Sequence, residues 1–228
     1  MQRRQFPQAA VSGAGLGLLG ASAQAALSET DAAAGVRAAL ERGAVIAVGL
    51  LGRTDGFLGN PSVRIPLPGA LNDAAKMLRA IGQQRRVDEL VTAMNRAAEA
   101  AVPEARTLLV NAVKSMSVED ARQIVTGGDD AATQFFARKT RAPLGVRFLP
   151  IVTRATERVK LADKYNAVAG KASAMGLLRK EDANIQQYVT GRALDGLYLV
   201  IGQEERKIRQ DPIGTGSAIL KRVFGSLR

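Results

Sequence analysis

The chain reads as all-α: a single-domain helical bundle of roughly eight to ten helices, with one long ordered loop rich in proline and glycine. Three observations predict this. Apolar residues recur at three- and four-residue spacing through most of the sequence. Cap residues and glycines punctuate those runs where helices start and stop. No alternating apolar stretch persuades for a strand.

In order along the chain, Ser28 caps a first helix over Glu29–Leu51, whose apolar positions are Ala33, Val36, Leu40, Ala44, Ala47 and Leu51. The stretch GRTDGFLGNPSVRIPLPG breaks helical periodicity and reads as loop. It nevertheless carries Phe57, Leu58, Val63, Ile65 and Leu67, which seek burial, so it is expected to lie ordered over the bundle. Helices are expected over Leu71–Ile81 and Val87–Val102, and Pro103 opens or kinks the next, to about Met116. Ser117 caps a short helix with Glu119 and Asp120 in its first turn, and Gly127 and Gly128 end it. Asp129 is expected to cap a helix to Thr140. A separate one follows from Leu144 to Val159, kinked at Pro150. Further helices are expected over Asp163–Val168, Asn184–Arg209 and Ser217–Leu227.

The first 25 residues read as a cleavable export signal. Arg3 and Arg4 make a charged start, with Phe6 close behind in a twin-arginine-like pattern; a mild apolar stretch follows, and Ala23-Gln24-Ala25 is a cleavage site. Pro7 and Gln8 depart from the usual twin-arginine pattern, so the general secretory route stays open. The expected product is a periplasmic protein of residues 26–228, one α-helical domain.

Composition narrows the chemistry. The 228 residues include no Cys, no His and no Trp. This excludes zinc held by nitrogen and sulfur, haem ligated through those residues, disulfides, a thiol nucleophile and a Ser-His-Asp triad. No cofactor is expected. The net charge is +11 and is unevenly placed: residues 26–136 hold 12 basic and 13 acidic side chains, residues 137–228 hold 18 and 8. A cationic end points to an anionic partner.

Six segments, TDGFLGNPSVRIPLP, MNRAAEAAVPEA, GGDDAATQFF, FLPIV, DKYN and YVTGRALDGLYLVIGQEERKIRQDP, appear in this order. Together they resemble an uncharacterised bacterial envelope family, domain-of-unknown-function family 4197, over nearly all of residues 26–228. The resemblance implies a helical, exported protein and no activity.

Candidate site residues therefore rest on chemistry. Asp195 lies in an apolar run, where a buried carboxylate needs a partner; it is either a ligand or acid/base group, or one half of a structural ion pair. Gly191 and Gly196, in the same helix, are expected to let a neighbour approach. The charged residues Glu204 to Arg209 read as a solvated, mutually paired face. Asn95, Arg96 and Glu99 share a helical side and form either an internal network or a pocket wall. Glu99, Glu104 and Asp195, with Asp129 or Asp130 as a further member, are an acidic set for an oxygen-only Mg or Ca site, if they converge. Tyr165, beside Lys164 and Asn166, is either an acid/base group or the anchor of a helix end. Arg64, flanked by apolar loop residues, is expected to point into a polar pocket or to pin the loop. Arg147, Arg154 and Arg158, with Lys221 and Arg222 of an amphipathic terminal helix, are the candidate contacts for an anionic surface; alternatively, that terminal helix packs back onto its own bundle.

The function expected is a non-enzymatic envelope protein binding an anionic membrane surface or acidic partner. The alternative is a carboxylate-based periplasmic enzyme. With nine aromatics and no reader motif, nucleic acid is not an expected partner.

Overall fold

A computed structural model describes residues 29–157, 160–174, 176 and 184–211, and every regular element among them is helical. The order is α1 (Glu29–Leu51), α2 (Gly69–Ala80), α3 (Gln84–Ala101), a 3-10 turn (Val102–Glu104), α4 (Ala105–Lys114), α5 (Val118–Thr126), α6 (Ala131–Thr156), α7 (Lys160–Ala174) and α8 (Ile185–Gln210). The expected export signal, with Arg3, Arg4, Phe6, Ala23 and Ala25, lies outside the described residues, as do the Ser28 cap, Arg158 and the helix expected over 217–227 with Lys221 and Arg222.

Helix α8 is the axis of the assembly. It packs on α6, α1 and α3, and more lightly on α7. Burial nearly all round is the result: Val189, Ala193, Leu194, Leu197, Tyr198, Val200 and Ile201 belong to the main core cluster, along with Phe57, Phe135, Phe136 and Phe148. An exposed stripe remains along Arg192, Asp195, Leu199 and Arg206. Asp195, expected to be buried, sits on that stripe with its side chain 49% exposed, because among the described residues no helix covers that side of α8.

Local sequence sets several helix ends. Ser117 and Asp120 form a reciprocal capping box at the start of α5, with Ser117 Oγ accepting from the Asp120 amide at 2.9 Å. The Asp120 carboxylate accepts from the Ser117 amide and then from its hydroxyl, which holds its pKa below the ordinary value. Asn184 Oδ1 accepts from the amides of Gln186 and Gln187 at the start of α8.

Helix α6 departs from expectation. The anticipated break between Thr140 and Leu144 is absent, and one helix of 26 residues runs through Pro143 and Pro150. Both prolines are exposed, so the carbonyls they leave without a helical donor, on Lys139 and Val146, belong to exposed residues that water can reach. An interior proline costs about 3 kcal/mol. Burying a large apolar side chain returns about 1.5–3 kcal/mol, and α6 buries Phe135, Phe136, Leu144, Phe148 and Val152. Packing therefore carries the helix past both prolines.

The cap of α6 also differs. The residue before the helix is Asp130 rather than Asp129, and it makes no side-chain cap. The carboxylate of Glu205 does that work from α8, accepting from the amides of Ala132 at 3.0 Å and Thr133 at 2.9 Å, and from the Thr133 hydroxyl at 2.8 Å. Arg209 donates both to Glu205 and to the carbonyl of Ile124 near the end of α5. Glu204 and Glu205 are buried, contrary to the solvated face expected of them, because α8 is enclosed there by α1 and α6.

Candidate functional site

The residues expected to form a polar site divide into two groups. The first holds the segment 52–68 against the bundle. Asn95 is fully buried on α3; its Oδ1 accepts from the Ile65 amide at 2.8 Å, and its Nδ2 donates to the carbonyls of Ile65 at 3.0 Å and Val91 at 2.8 Å. One turn later, Glu99 accepts from the amides of Phe57 and Leu58 through Oε1, both at 3.0 Å. Its Oε2 takes a 2.7 Å bond from Arg96, which reaches on to Asp55 at 2.8 Å. These charge-assisted bonds, to Glu99 first and Asp55 second, raise the Arg96 pKa above its ordinary value. Asp55 holds the left-handed conformation, φ 64°, at the turn where the chain leaves α1.

Thus Asn95, Arg96 and Glu99 are an internal network, and what they satisfy is backbone. Amides in a non-helical stretch need acceptors when buried, and two α3 side chains supply them. Phe57 is then seated on α8: a Cβ added at Gly196 would lie 2.7 Å from Phe57 Cε1. Gly191, expected to allow a similar approach, has nothing among the described residues within 4 Å of such a Cβ. Tyr188 closes the other end by donating to the Pro66 carbonyl at 3.1 Å.

Arg64 does not enter a pocket. Burial alternates through Val63, Ile65 and Leu67 while Arg64 and Pro66 face out, so the extended backbone turns the guanidinium to solvent. Asn166 joins helices: its Oδ1 accepts from the Ile185 amide at 2.8 Å, and its Nδ2 donates to Gln186 at 2.9 Å. Gln186 donates in turn to Thr156 at 3.1 Å, linking α7, α8 and the end of α6. Tyr165 is buried on α7.

The acidic set does not gather. Glu99 pairs with Arg96, Glu104 faces Arg147 at 4.0 Å, and Asp195 meets Arg141 at 2.6 Å. Among the described residues no group of three or more acidic side chains is placed to hold a metal ion. Each carboxylate has its own arginine, which spends the charge that a shared cation would need.

The second group is the outer face of α6. Buried positions recur every four residues, at Ala132, Phe136, Thr140, Leu144, Phe148, Val152 and Thr156. Opposite them run Arg138, Ala142, Val146, Pro150 and Arg154, all exposed, with Val146 at 75%. Lys139, Pro143 and Arg147 flank this line on one side, Arg141 and Leu149 on the other. The helix contains five basic residues and no acidic one. Arg141 is partly spent, since it pairs with Asp195 and lies 5.8 Å over the Tyr198 ring. Burial raises the pKa of Tyr198, whose hydroxyl is 2.9 Å from Thr140 Oγ1. Thr140 donates to Phe136 O at 2.7 Å, so the tyrosine is the donor between the two hydroxyls.

Sequence reasoning missed Asp55, Gln186 and Glu205. Only Asp55 left a signal, the Asp-Gly turn pair closing α1.

Among the described residues no helix is long and apolar enough to cross a membrane. Residues 26–225 match the model of a family described as protein of unknown function, DUF4197. No curated protein and no solved structure matches the chain.

Proposed function

From the premise that the chain belongs to the DUF4197 family, we propose that it is a non-enzymatic exported protein that binds an anionic membrane surface through the outer face of α6. The mature chain starts near residue 26 and forms one bundle of eight to ten helices with the ordered segment 52–68. One observation carries the reading: an exposed apolar line, Ala142, Val146 and Pro150, lies between basic residues on a helix with no acidic side chain. Apolar residues set among cations suit the boundary between lipid headgroups and acyl chains. Carboxylates on neighbouring elements offset part of this charge: Asp120 lies near Arg138 and Lys139, Glu104 stands 4.0 Å from Arg147, and Asp195 pairs with Arg141 at 2.6 Å. The carboxylates that would serve an enzyme are instead occupied by backbone amides and arginines.

Co-sedimentation with vesicles tests it. The full chain binds phosphatidylglycerol vesicles at low salt, releases as ionic strength rises, and ignores phosphatidylcholine. Each basic residue near such a surface contributes about 1 kcal/mol. The double change Arg147→Gln, Arg154→Gln therefore weakens binding about 30-fold. Equal binding to neutral and anionic vesicles would sink the proposal.

A further inference from the structure

Helices α1 and α5 leave an apolar groove of about 220 Å³ lined by Ala32, Ala33, Val36, Val118, Ala121 and Val125, with Arg122 at its edge. Small-molecule sites span about 300–1,000 Å³ and carry converging polar groups. This groove is smaller, and its lining is almost wholly aliphatic, so it fits a few apolar side chains better than a metabolite.

The last turn of α8 ends at its mouth. Ile208 packs on Ala39 and shares a small cavity with Val36 and Ile124, and Arg209 donates to the Ile124 carbonyl at 2.8 Å. Helix α8 runs antiparallel to α1: Ile208 and Glu204 lie against Gly43, while Gly196 lies against Phe57, beyond the end of α1. The axis of α8, continued past Gln210, points from Val36 toward Ala33 and Ala32, along the groove. The next residues in sequence are Asp211–Gly216, then a segment with Ile219, Leu220, Val223, Phe224 and Leu227 at helical spacing. Lys221 and Arg222 fall off that apolar arc. Six linking residues reach at most about 20 Å. The α5 stretch Val118–Val125 is about 10 Å long, so either end of the groove is within range.

We propose that residues 217–227 of the same chain occupy the α1–α5 groove, burying Leu220, Val223 and Phe224 against Ala33, Val36, Ala121 and Val125. The inference stands apart from membrane binding through α6, which vesicle assays measure separately.

The absence of cysteine makes disulfide trapping unambiguous. Phe224→Cys is combined in the full chain with Val118→Cys, with Val125→Cys, or with Val146→Cys on the outer face of α6 as control. A docked tail raises the effective concentration of one thiol at the other. At least one groove pair should then close within a monomer about tenfold faster than the control. Adding Leu220→Ser and Val223→Ser should remove that advantage while leaving the control rate unchanged. Equal rates for all pairs overturn the proposal. So do disulfides formed between molecules, which would place a second copy in the groove, and fast closure that survives the serine changes.

Discussion

Two glycines five residues apart on α8 make a controlled experiment. Replacing either with alanine removes the same excess backbone freedom from the unfolded chain, a gain of about 0.5–1 kcal/mol in a helix interior. Around Gly191 nothing among the described residues lies within 4 Å of the new Cβ, so Gly191→Ala should show that gain nearly whole. At Gly196 the new methyl meets Phe57 Cε1 at 2.7 Å and Cζ at 3.2 Å, and Val63 Cβ at 3.3 Å. The ring cannot swing clear: Phe57 is fully buried, and its amide is held by Glu99 at 3.0 Å. Overpacking of this kind costs about 1–3 kcal/mol. Because the propensity gain is common to both, the difference between the variants isolates the crowding, and Gly196→Ala should be less stable than Gly191→Ala by about 1–3 kcal/mol. Urea unfolding with an unchanged slope measures it, and in a Phe57→Leu background the gap should shrink. Two variants agreeing within about 0.5 kcal/mol, the usual tolerance of such comparisons, would refute the seating of Phe57 on α8.

Three further outcomes are expected. Asn95→Ala strands the amide and carbonyl of buried Ile65, costing about 2–4 kcal/mol, and speeds hydrogen exchange at Ile65; an unchanged exchange rate contradicts the clamp. Glu205→Ala uncaps α6 and leaves Arg209 short of its carboxylate, so the Ala132 and Thr133 amides should lose protection while those of α3 keep theirs. Tyr198 has a folded-state pKa raised above 10.0, so its contribution to stability is complete below that value and is lost as pH rises through the folded one. Tyr198→Phe should therefore flatten the alkaline fall of Tm, and a fall as steep as in the parent would contradict it.

What could be read from sequence and what could not separate along one line. Signals written within a few residues were legible: the apolar spacing of α1 and the Ser117–Asp120 cap each place a helix from its own neighbours. Signals written across the chain were not. The α6 amides are capped from 72 and 73 residues away, so neither Asp129 nor Asp130 revealed that their helix needed no local cap. The same helix concealed its length. A strict four-residue spacing advances about 40° per step around a helix of 3.6 residues per turn, and the buried line therefore winds instead of holding one face. An amphipathic pattern smeared in this way, crossed by two prolines, reads as two helices. That Asn95, Arg96 and Glu99 act together, as a network or as a pocket wall, was legible because the residues share a side of α3. Their targets were not, because backbone amides leave no trace in composition. Asp195 was misplaced for the opposite reason: its neighbours in sequence are buried, but the side of α8 that it occupies is open.

The Glu205 cap and the Gly196 seat lie in the last of the described helices, and this sets a timetable for synthesis. As the chain emerges N-terminus first, the segment 52–68 and the start of α6 appear long before the residues that hold them. Until Gly196 is exposed, Phe57 has no surface to rest on; until Glu205 emerges, the Ala132 and Thr133 amides have no acceptor. Completion is deferred until α8 has been made. Throughout the synthesis of α1 to α7 the chain is thus unfinished and unlocked, and any machinery that handles unfolded polypeptide has its opportunity.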